Sequence, residues 1–210
     1  IDSSVSSTLS AMTGLKTIVL CMPIKQHKSQ HDLSIKHKDW LMKNFNNVEG
    51  HVIELDNLFK SFENKLSNFQ NEHGFANSRA RLRMTTLYQV AAANNGIVVG
   101  TGNKVEDFGV GFYTKYGDGG VDISPIADCN KSEIWEIGKE LNILQEIIDA
   151  PPTDGLWDDG RTDEGQLGMT YKDIELAMDN PKSPNREKYE KIRLSNLHKM
   201  EPIPICKIPR

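Results

Sequence analysis

The chain has 210 residues, and 25 lysines and arginines against 29 aspartates and glutamates give it a formal net charge of -4. Its 38% hydrophobic and 26% charged residues are an ordinary globular balance, which argues against a disordered or fibrous chain. The mild acidity argues against a general nucleic-acid-binding protein, and no apolar run approaches the roughly 20 residues that a membrane helix needs.

The cysteines and the start of the chain are the features from which we predict the cellular compartment of the protein. Cys21, Cys129 and Cys206 lie far apart and form no CxxC pair, so neither a zinc site nor a disulfide framework is indicated. A reducing, cytoplasmic location fits this pattern best, and no secretory signal begins the chain. The first residue, Ile1, is not an initiator methionine, so we expect further residues before it and give the missing signal little weight.

The first half of the chain alternates apolar runs with segments of helical periodicity. The run 17–22, ended by Pro23, predicts a buried strand, and residues 77–94 carry the strongest helical pattern. Strands that alternate with helices predict an α/β fold, a Rossmann-like open parallel sheet with helices on both faces. In chain order, the predicted elements are a helix over 3–11, a strand over 17–22, a helix over 32–44, a strand over 51–55, a helix from 56 to about 74, a helix over 77–94 and a strand over 96–101.

The second half ends in two segments of opposite charge. Residues 130–144 predict one more helix, whereas residues 151–168 are rich in proline, glycine and acids. The acidic segment 146–179 is either a solvated surface or a mobile lid over a ligand, and the basic segment 181–210 is either surface or an anion contact. We expect one domain over residues 1–210, with 151–168 as a candidate lid loop within it.

Two acidic positions fall where such a sheet would bind a phosphate. Asp2 and Ser3 begin the first helix, where free backbone N–H groups favour anions and a carboxylate could hold Mg2+ on a polyphosphate. Helix capping is the simpler explanation of both residues. Thr101 follows the last predicted strand, and Glu106, five residues further on, is either a second Mg2+ ligand or a surface residue.

Residues 112–122 are the most unusual stretch, since they combine aromatic residues, Lys115, a glycine-rich turn and the two acids Asp118 and Asp122. Glycines let the backbone approach a ligand closely, and a simple turn does not explain why a cation, aromatics and acids meet there. This combination favours a ligand site. Arg81, in the strongest predicted helix, is either a contact for an anionic ligand or a solvated side chain.

In order and spacing, these segments resemble the ammonia-dependent NAD synthetases of the N-type ATP pyrophosphatase group, over nearly the whole chain. The resemblance implies an adenine nucleotide alpha hydrolase-like sheet. The chain begins inside that family's SGGxDS phosphate loop, so the resemblance also implies a preceding Ser-Gly-Gly and a first strand ahead of Ile1, both absent from this chain. The matching segments are NSRARLRM at 77–84, VGTGN at 99–103, KYGDGG at 115–120, PTDGLW at 152–157, the run 161–171 and the pair 198–199.

Carried over residue by residue, the resemblance implies a metal site, an ammonia site and two nucleotide sites. Asp2 and Glu106 would hold Mg2+, although one extra residue between Glu106 and Lys115 leaves Asp107 as the alternative ligand. Asp118 would receive ammonia. The remaining roles fall to Ser3, Thr101, Lys131 and Thr153 as contacts for ATP, with Lys131 also catalytic, and to Arg81, Lys115, Asp122, His198 and Lys199 as contacts for deamido-NAD.

The implied reaction joins two anions. The pyridine carboxylate of deamido-NAD would attack the α-phosphorus of ATP and release pyrophosphate, and ammonia would then displace AMP to give NAD. Mg2+ and Lys131 would offset the repulsion between the reactants, and Asp118 would bind ammonium and accept its proton. A lid would keep water from the adenylate. The resemblance also implies a homodimer with deamido-NAD bound near the subunit interface.

Two other functions stay open on the sequence alone. Another ATP pyrophosphatase, such as the GMP synthetase type, would adenylate a different acceptor, and the KYGDGG segment and Arg81 argue against it. A nucleotide-binding sensor of similar fold would bind ATP without forming AMP, and the pairing of Asp2, Glu106 and Lys131 argues for an enzyme. The nitrogen donor is either free ammonia, which we favour because these 210 residues contain no glutamine-hydrolysing domain, or glutamine.

Overall fold

Helices dominate the computed structural model, which describes residues 1–153, 155–156 and 161–209. No helix in this part of the chain is long and apolar enough to cross a membrane. Within these ranges, two strands, β1 (Thr17–Cys21) and β2 (Val48–Val52), and one π-helix (Lys104–Val110) accompany the α-helices. The α-helices are α1 (Asp2–Met12), α2 (Lys28–Asn44), α3 (Asp56–Lys65), α4 (Glu72–Ala93), α5 (Lys131–Glu140), α6 (Gln145–Ile148), α7 (Asp163–Leu167), α8 (Tyr171–Asp179) and α9 (Arg186–Met200).

The strands β1 and β2 form a parallel pair connected through α2, which is a βαβ unit and confirms the α/β class. Thr17 pairs with Val48 and Cys21 pairs with Val52. The predicted strand over 51–55 is therefore wrong by three residues. Backbone pairing fixes the true bounds, because the Thr17 N–H donates to the Asn47 carbonyl at 2.9 Å and sets the register from that end.

The predicted strand over 96–101 is reduced to one parallel bridge, between Val99 and Ile123. Gly100 N–H donates to the Ile123 carbonyl at 2.7 Å, so the two segments do run side by side. A Cβ at Gly100 would lie 2.7 Å from Val121 Cγ2, so this close approach requires glycine. The sheet among the described residues is smaller than the open sheet expected, and a strand ahead of Ile1 stays a prediction.

Two predicted helices have the wrong ends. The helix predicted from 56 to 74 stops at Lys65, and α4 begins anew where the Asn71 side chain accepts a hydrogen bond from Gly74 N–H at 2.7 Å. The helix predicted over 130–144 stops at Glu140, and Asn142 turns the chain with a φ of 55°. Asparagines that cap or adopt the left-handed conformation thus divide segments that share one helical pattern.

In the described part of the chain, three apolar clusters hold these elements together. One joins α8, α9 and the π-helix around the buried Tyr171, and a second joins α1, α5 and α6 around Val5. A third packs Phe59 of α3 beneath α4 and the end of β1. Trp135 on α5 packs against both the first and the second cluster. The helix α5 is therefore fixed from two sides, which matters because Lys131 is its first residue.

Candidate active site

A buried lysine joins two carboxylates that are more than a hundred residues apart from each other in the chain. Lys131 Nζ lies 2.5 Å from Asp2 Oδ2 and 2.9 Å from Glu106 Oε1. The lysine side chain is only 2% exposed, whereas the carboxylates keep 17% and 15% of their surface. Burial alone would lower the pKa of Lys131, but the carboxylates of Glu106 and Asp2 raise it overall, so the side chain is a cation.

Each of these three residues lies in the first turn of a helix. Asp2 begins α1, Glu106 lies in the first turn of the π-helix, and Lys131 begins α5. Asn103 fixes the first two together, since its Nδ2 donates to Asp2 Oδ1 at 2.8 Å and its Oδ1 accepts from the Glu106 N–H at 3.0 Å. Free N–H groups at helix starts attract anions, so the cluster is suited to a phosphate-bearing ligand.

The π-helix lies where this chain has one residue more than the family that it resembles, between Glu106 and Lys115. Its last hydrogen bond runs from Gly111 N–H to the Glu106 carbonyl, five residues back, and Gly111 then leaves the helix with a φ of 66°. A π-turn contains one residue more than an α-turn, which fits the longer spacing. The structure places Glu106 on Lys131 with Asp2, whereas the carboxylate of Asp107 lies against Gly102.

Two further carboxylates beside this cluster hold protons more tightly than usual. Burial, followed by the charges of Glu106 and Asp118, raises the pKa of Asp107 to about 7. A Cβ at position 102 would lie 1.9 Å from Asp107 Oδ2, so only glycine leaves room for this carboxyl. Burial also raises the pKa of Asp118, whose carboxyl is surrounded by protein atoms although the residue is reached by solvent. Asp118 Oδ1 accepts a hydrogen bond from Thr114 N–H at 3.0 Å.

Four of the five residues predicted to contact deamido-NAD lie together at the end of α9. Lys115 Nζ donates to the His198 carbonyl at 2.7 Å, and Arg81 Nε donates to the Lys115 carbonyl at 3.2 Å. Lys199 Nζ donates to the Tyr113 carbonyl at 2.9 Å, and the Tyr113 hydroxyl donates back to the Lys199 carbonyl at 2.5 Å. These contacts tie the basic end of α9 to the segment that carries Asp118.

Asp122, the fifth of these residues, is held elsewhere. Its carboxylate accepts from the Tyr88 hydroxyl at 3.0 Å and from Val98 N–H at 2.7 Å, and no hydrogen bond among the described residues joins it to Lys115. A cavity of about 690 Å3 lies beside Tyr88. Its walls include Tyr116 and come from α4 and the glycine-rich turn, so this cavity adjoins the deamido-NAD residues.

No side-chain hydrogen bond among the described residues joins the other predicted ATP contacts to the cluster. Ser3 is exposed next to Asp2, and Thr101 is half-buried beside Gly102. Thr153 Oγ1 accepts from Gly155 N–H at 3.2 Å and lies 3.4 Å from Gln30 Nε2. The lid prediction for 151–168 falls partly on residues 154 and 157–160, which lie outside the described residues.

The donor set suits a magnesium ion brought in with a nucleotide. No group of three or more His, Cys, Asp and Glu side chains that could hold a metal occurs in the described ranges. Mg2+ is usually held by one or two carboxylates together with substrate phosphates, and Asp2 and Glu106 offer that pair of oxygen ligands. The residues present thus fit a metal–nucleotide complex better than a resident metal ion.

Tyr171 and Asp163 are site residues that reasoning from the sequence missed. The Tyr171 hydroxyl lies 2.6 Å from Glu106 Oε1 and 3.1 Å from Asp163 Oδ2, and both residues are buried. A tyrosine at the start of an amphipathic helix looks like a core residue, and its hydroxyl partner is 65 positions away. The match of the run 161–171 to the family was the available signal, but it gave neither residue a role.

A βαβ unit with helix starts gathered around a lysine and two carboxylates defines an α/β protein with a site suited to a phosphate-bearing ligand. Comparison with known proteins identifies the family within that class. The model of the NAD synthase family matches residues 1–203. The chain belongs to the NAD synthase family.

Individual relatives agree with this assignment. The chain is 42% identical over 139 residues to an NH(3)-dependent NAD(+) synthetase from Carboxydothermus hydrogenoformans, a match that covers 64% of the chain and 56% of the relative. It is 37% identical over 203 residues to an NH(3)-dependent NAD(+) synthetase from Alkaliphilus metalliredigens. This match covers 90% of the chain and 79% of the relative. The solved structure of an NMN synthetase from Francisella tularensis superposes with a TM-score of 0.86 at 32% identity, covering 99% of the chain and 84% of that protein. The chain thus spans little more than half of the Carboxydothermus protein.

Proposed function

We propose that this protein amidates the pyridine carboxylate of deamido-NAD with ammonia, at the expense of ATP, to form NAD, AMP and pyrophosphate. The observation that carries the proposal is the buried Lys131 cation between Asp2 and Glu106, at a point where three helices begin. A site built for binding alone needs no such pair of carboxylates beside the place where phosphate is expected. The membership of the NAD synthase family and the relatives named above support the same reaction.

Each residue of the cluster would have its own role in the adenylation step. Asp2 and Glu106 would hold Mg2+, which neutralises phosphate charge when bound. Lys131 and the N–H groups at the start of α1, next to Ser3, would stabilise charge on the α-phosphate as the carboxylate of deamido-NAD attacks it. Because Lys131 is fixed by two ion pairs and a packed helix, its charge needs no rearrangement during the reaction.

The amidation step would use the second group of residues. The Asp118 carboxylate, which accepts a hydrogen bond from Thr114 N–H, would bind ammonium and accept a proton before the resulting ammonia attacks the acyl carbon. The basic residues Lys115 and Lys199, with Arg81, would hold the anionic dinucleotide beside it. Residues 151–168 would act as a lid over the adenylate. The protein would work as a homodimer, and it would be located in the cytoplasm.

A second candidate substrate comes from one specific observation. The solved structure with the TM-score of 0.86 is that of an NMN synthetase, whereas the sequence relatives are NAD(+) synthetases. The chemistry at the pyridine carboxylate is the same for both, so the candidates differ in the size of the nucleotide. The cavity of about 690 Å3 beside Tyr88 offers room for the second nucleotide of deamido-NAD, and this favours the dinucleotide.

An assay of product formation separates these possibilities. The protein, with ATP and Mg2+, is given either deamido-NAD or nicotinic acid mononucleotide, and either ammonium or glutamine. We expect NAD and AMP in equal amounts with ammonium, with kcat/KM at least about tenfold higher for the dinucleotide, since the extra nucleotide adds binding energy. A preference for the mononucleotide would establish the second candidate. AMP formed only with a different acceptor would indicate another ATP pyrophosphatase, and ATP binding without AMP would indicate a sensor.

A further inference from the structure

The hydroxyl of Tyr171 contacts the charged cluster through Glu106. Tyr171 is the first residue of α8 and is 1% exposed. Its Oη lies 2.6 Å from Glu106 Oε1 and 3.1 Å from Asp163 Oδ2. Burial, together with the charges of Glu106 and Asp163, raises the pKa of Tyr171, so the hydroxyl keeps its proton. This single proton faces two carboxylates, and the shorter contact goes to Glu106.

The hydroxyl fixes the orientation of the Glu106 carboxylate. Glu106 Oε1 receives two donors, Tyr171 Oη at 2.6 Å and Lys131 Nζ at 2.9 Å. None of the hydrogen bonds among the described residues goes to Oε2. Two donors on one oxygen restrict rotation of the carboxylate, so Oε2 keeps a constant direction in which a ligand can be met.

The same helix supports the lysine of the cluster. Glu175, one turn further along α8, accepts from the Ser132 N–H at 2.9 Å and from the Ser132 hydroxyl at 2.8 Å. Ser132 follows Lys131 at the start of α5, and Lys131 Nζ lies 4.7 Å from the centre of the Tyr171 ring. Helix α8 therefore holds both partners of the ion pair between Lys131 and Glu106.

Tyr171 is also attached to the segment that runs from Pro152 to Asp163. Asp163 N–H donates to the Pro152 carbonyl at 3.1 Å, which joins the two ends of that segment. The Tyr171 N–H donates to Glu164 Oε1 at 2.9 Å, next to Asp163. The tyrosine thus contacts Asp163 and Glu106 through its hydroxyl, and the adjacent Glu164 through its backbone.

We propose that Tyr171 is a positioning residue that couples the joined ends of the segment at Pro152 and Asp163 to the orientation of Glu106. A change in the position of Asp163 alters the competition for the one hydroxyl proton, and with it the hold on Glu106. The inference rests on the proposed function in that Glu106 is taken as a ligand of the metal bound with ATP. It goes beyond that function because neither Tyr171 nor Asp163 has a role in it.

The test compares Tyr171→Phe with Tyr189→Phe. Tyr189 is 5% exposed in the same apolar cluster, and its hydroxyl makes no hydrogen bond to a described residue, so it is a matched control. Free Mn2+ is measured by electron paramagnetic resonance in the presence of ATP, without the second substrate. We expect Tyr171→Phe to raise the half-saturating Mn2+ concentration about tenfold, as loss of a hydrogen bond to a metal ligand typically does. Tyr189→Phe should stay within twofold.

Hydrogen exchange measures how Tyr171 affects the backbone around Asp163. Backbone amides of residues 161–168 should exchange faster in Tyr171→Phe than in wild type, while Tyr189→Phe leaves them unchanged. Asp163→Asn should change Mn2+ binding in the wild-type background and leave it unchanged in Tyr171→Phe, because the path through the hydroxyl is then already broken.

Three results would overturn the proposal. Unchanged Mn2+ binding in Tyr171→Phe would show that the hydroxyl does not position Glu106. Faster exchange throughout α8 and α9, with equal Mn2+ affinity, would indicate a structural role only. Additive effects of Asp163→Asn and Tyr171→Phe would show that the two residues are uncoupled. A wild type that forms neither NAD nor NMN would refute the proposed function, while the Mn2+ and exchange comparisons would still decide the role of Tyr171.

Discussion

Replacing Lys131 with methionine is expected to lower kcat for NAD formation by about 10^2- to 10^3-fold, the size of effect seen when one preorganised charge-stabilising group is removed. Methionine fills similar space but leaves Asp2 and Glu106 without their shared cation. We also expect the free energy of unfolding to fall by about 2–4 kcal/mol, since breaking a largely buried ion pair leaves uncompensated charges. Steady-state kinetics and urea unfolding measure the two effects.

Lys104→Met is the matched control for this change. Lys104 lies in the first turn of the π-helix, but its partner Asp128 is 99% exposed at 3.4 Å. Because exposed ion pairs contribute little, we expect its stability to change by no more than about 0.5 kcal/mol. Activity should stay near that of wild type. A Lys131→Met protein that keeps kcat within about tenfold of wild type while folded would remove Lys131 from the reaction.

Replacing Asp118 with asparagine is expected to separate the two chemical steps. The amide oxygen can still accept the hydrogen bond from Thr114 N–H, so the local fold is retained. Without a carboxylate to bind ammonium and take its proton, NAD formation should fall by about 10^2- to 10^4-fold. Exchange of labelled pyrophosphate into ATP, which reports adenylation of deamido-NAD alone, should stay within a few-fold of wild type.

The pH dependence gives the same prediction a second readout. Burial raises the pKa of Asp118, so its ionised, proton-accepting form is lost as the pH falls through that raised value. Wild-type amidation should therefore decline on the acid side more steeply than pyrophosphate exchange does. Asp128→Asn, which changes a carboxylate that is 99% exposed, is the control and should follow wild type. Equal loss of exchange and amidation in Asp118→Asn would contradict its assignment to the ammonia step.

Local signals were enough to predict the elements that depend on neighbouring residues. The apolar run that ends at Pro23 predicted β1 within one residue, and the Ser- and Thr-rich start predicted α1. The strand β2 was misplaced because its sequence, Val-Glu-Gly-His-Val, has few apolar residues and takes its bounds from pairing with β1. A pattern in one segment contains no information on the register that a second segment imposes.

The candidate site likewise contains residues that could be predicted from the sequence and residues that could not. Nothing near Lys131 in the sequence predicts that its side chain is buried, because the partner Asp2 is 129 positions away. The resemblance to a known family supplied Asp2, Glu106 and Lys131 as one set, and the structure brings them together. It gave no role to Tyr171, since the contact to Glu106 arises from the packing of α8 against the π-helix and appears only in three dimensions.

The most direct test of the proposed reaction follows one oxygen atom. Deamido-NAD labelled with oxygen-18 in its pyridine carboxylate is incubated with the protein, ATP, Mg2+ and ammonium, and the AMP is analysed by mass spectrometry. If the carboxylate attacks the α-phosphorus and ammonia then attacks the acyl carbon, the carbon–oxygen bond to the phosphate breaks. One labelled oxygen then leaves with every AMP formed. AMP that carries no label, or that appears at the same rate without deamido-NAD, would contradict the adenylation mechanism.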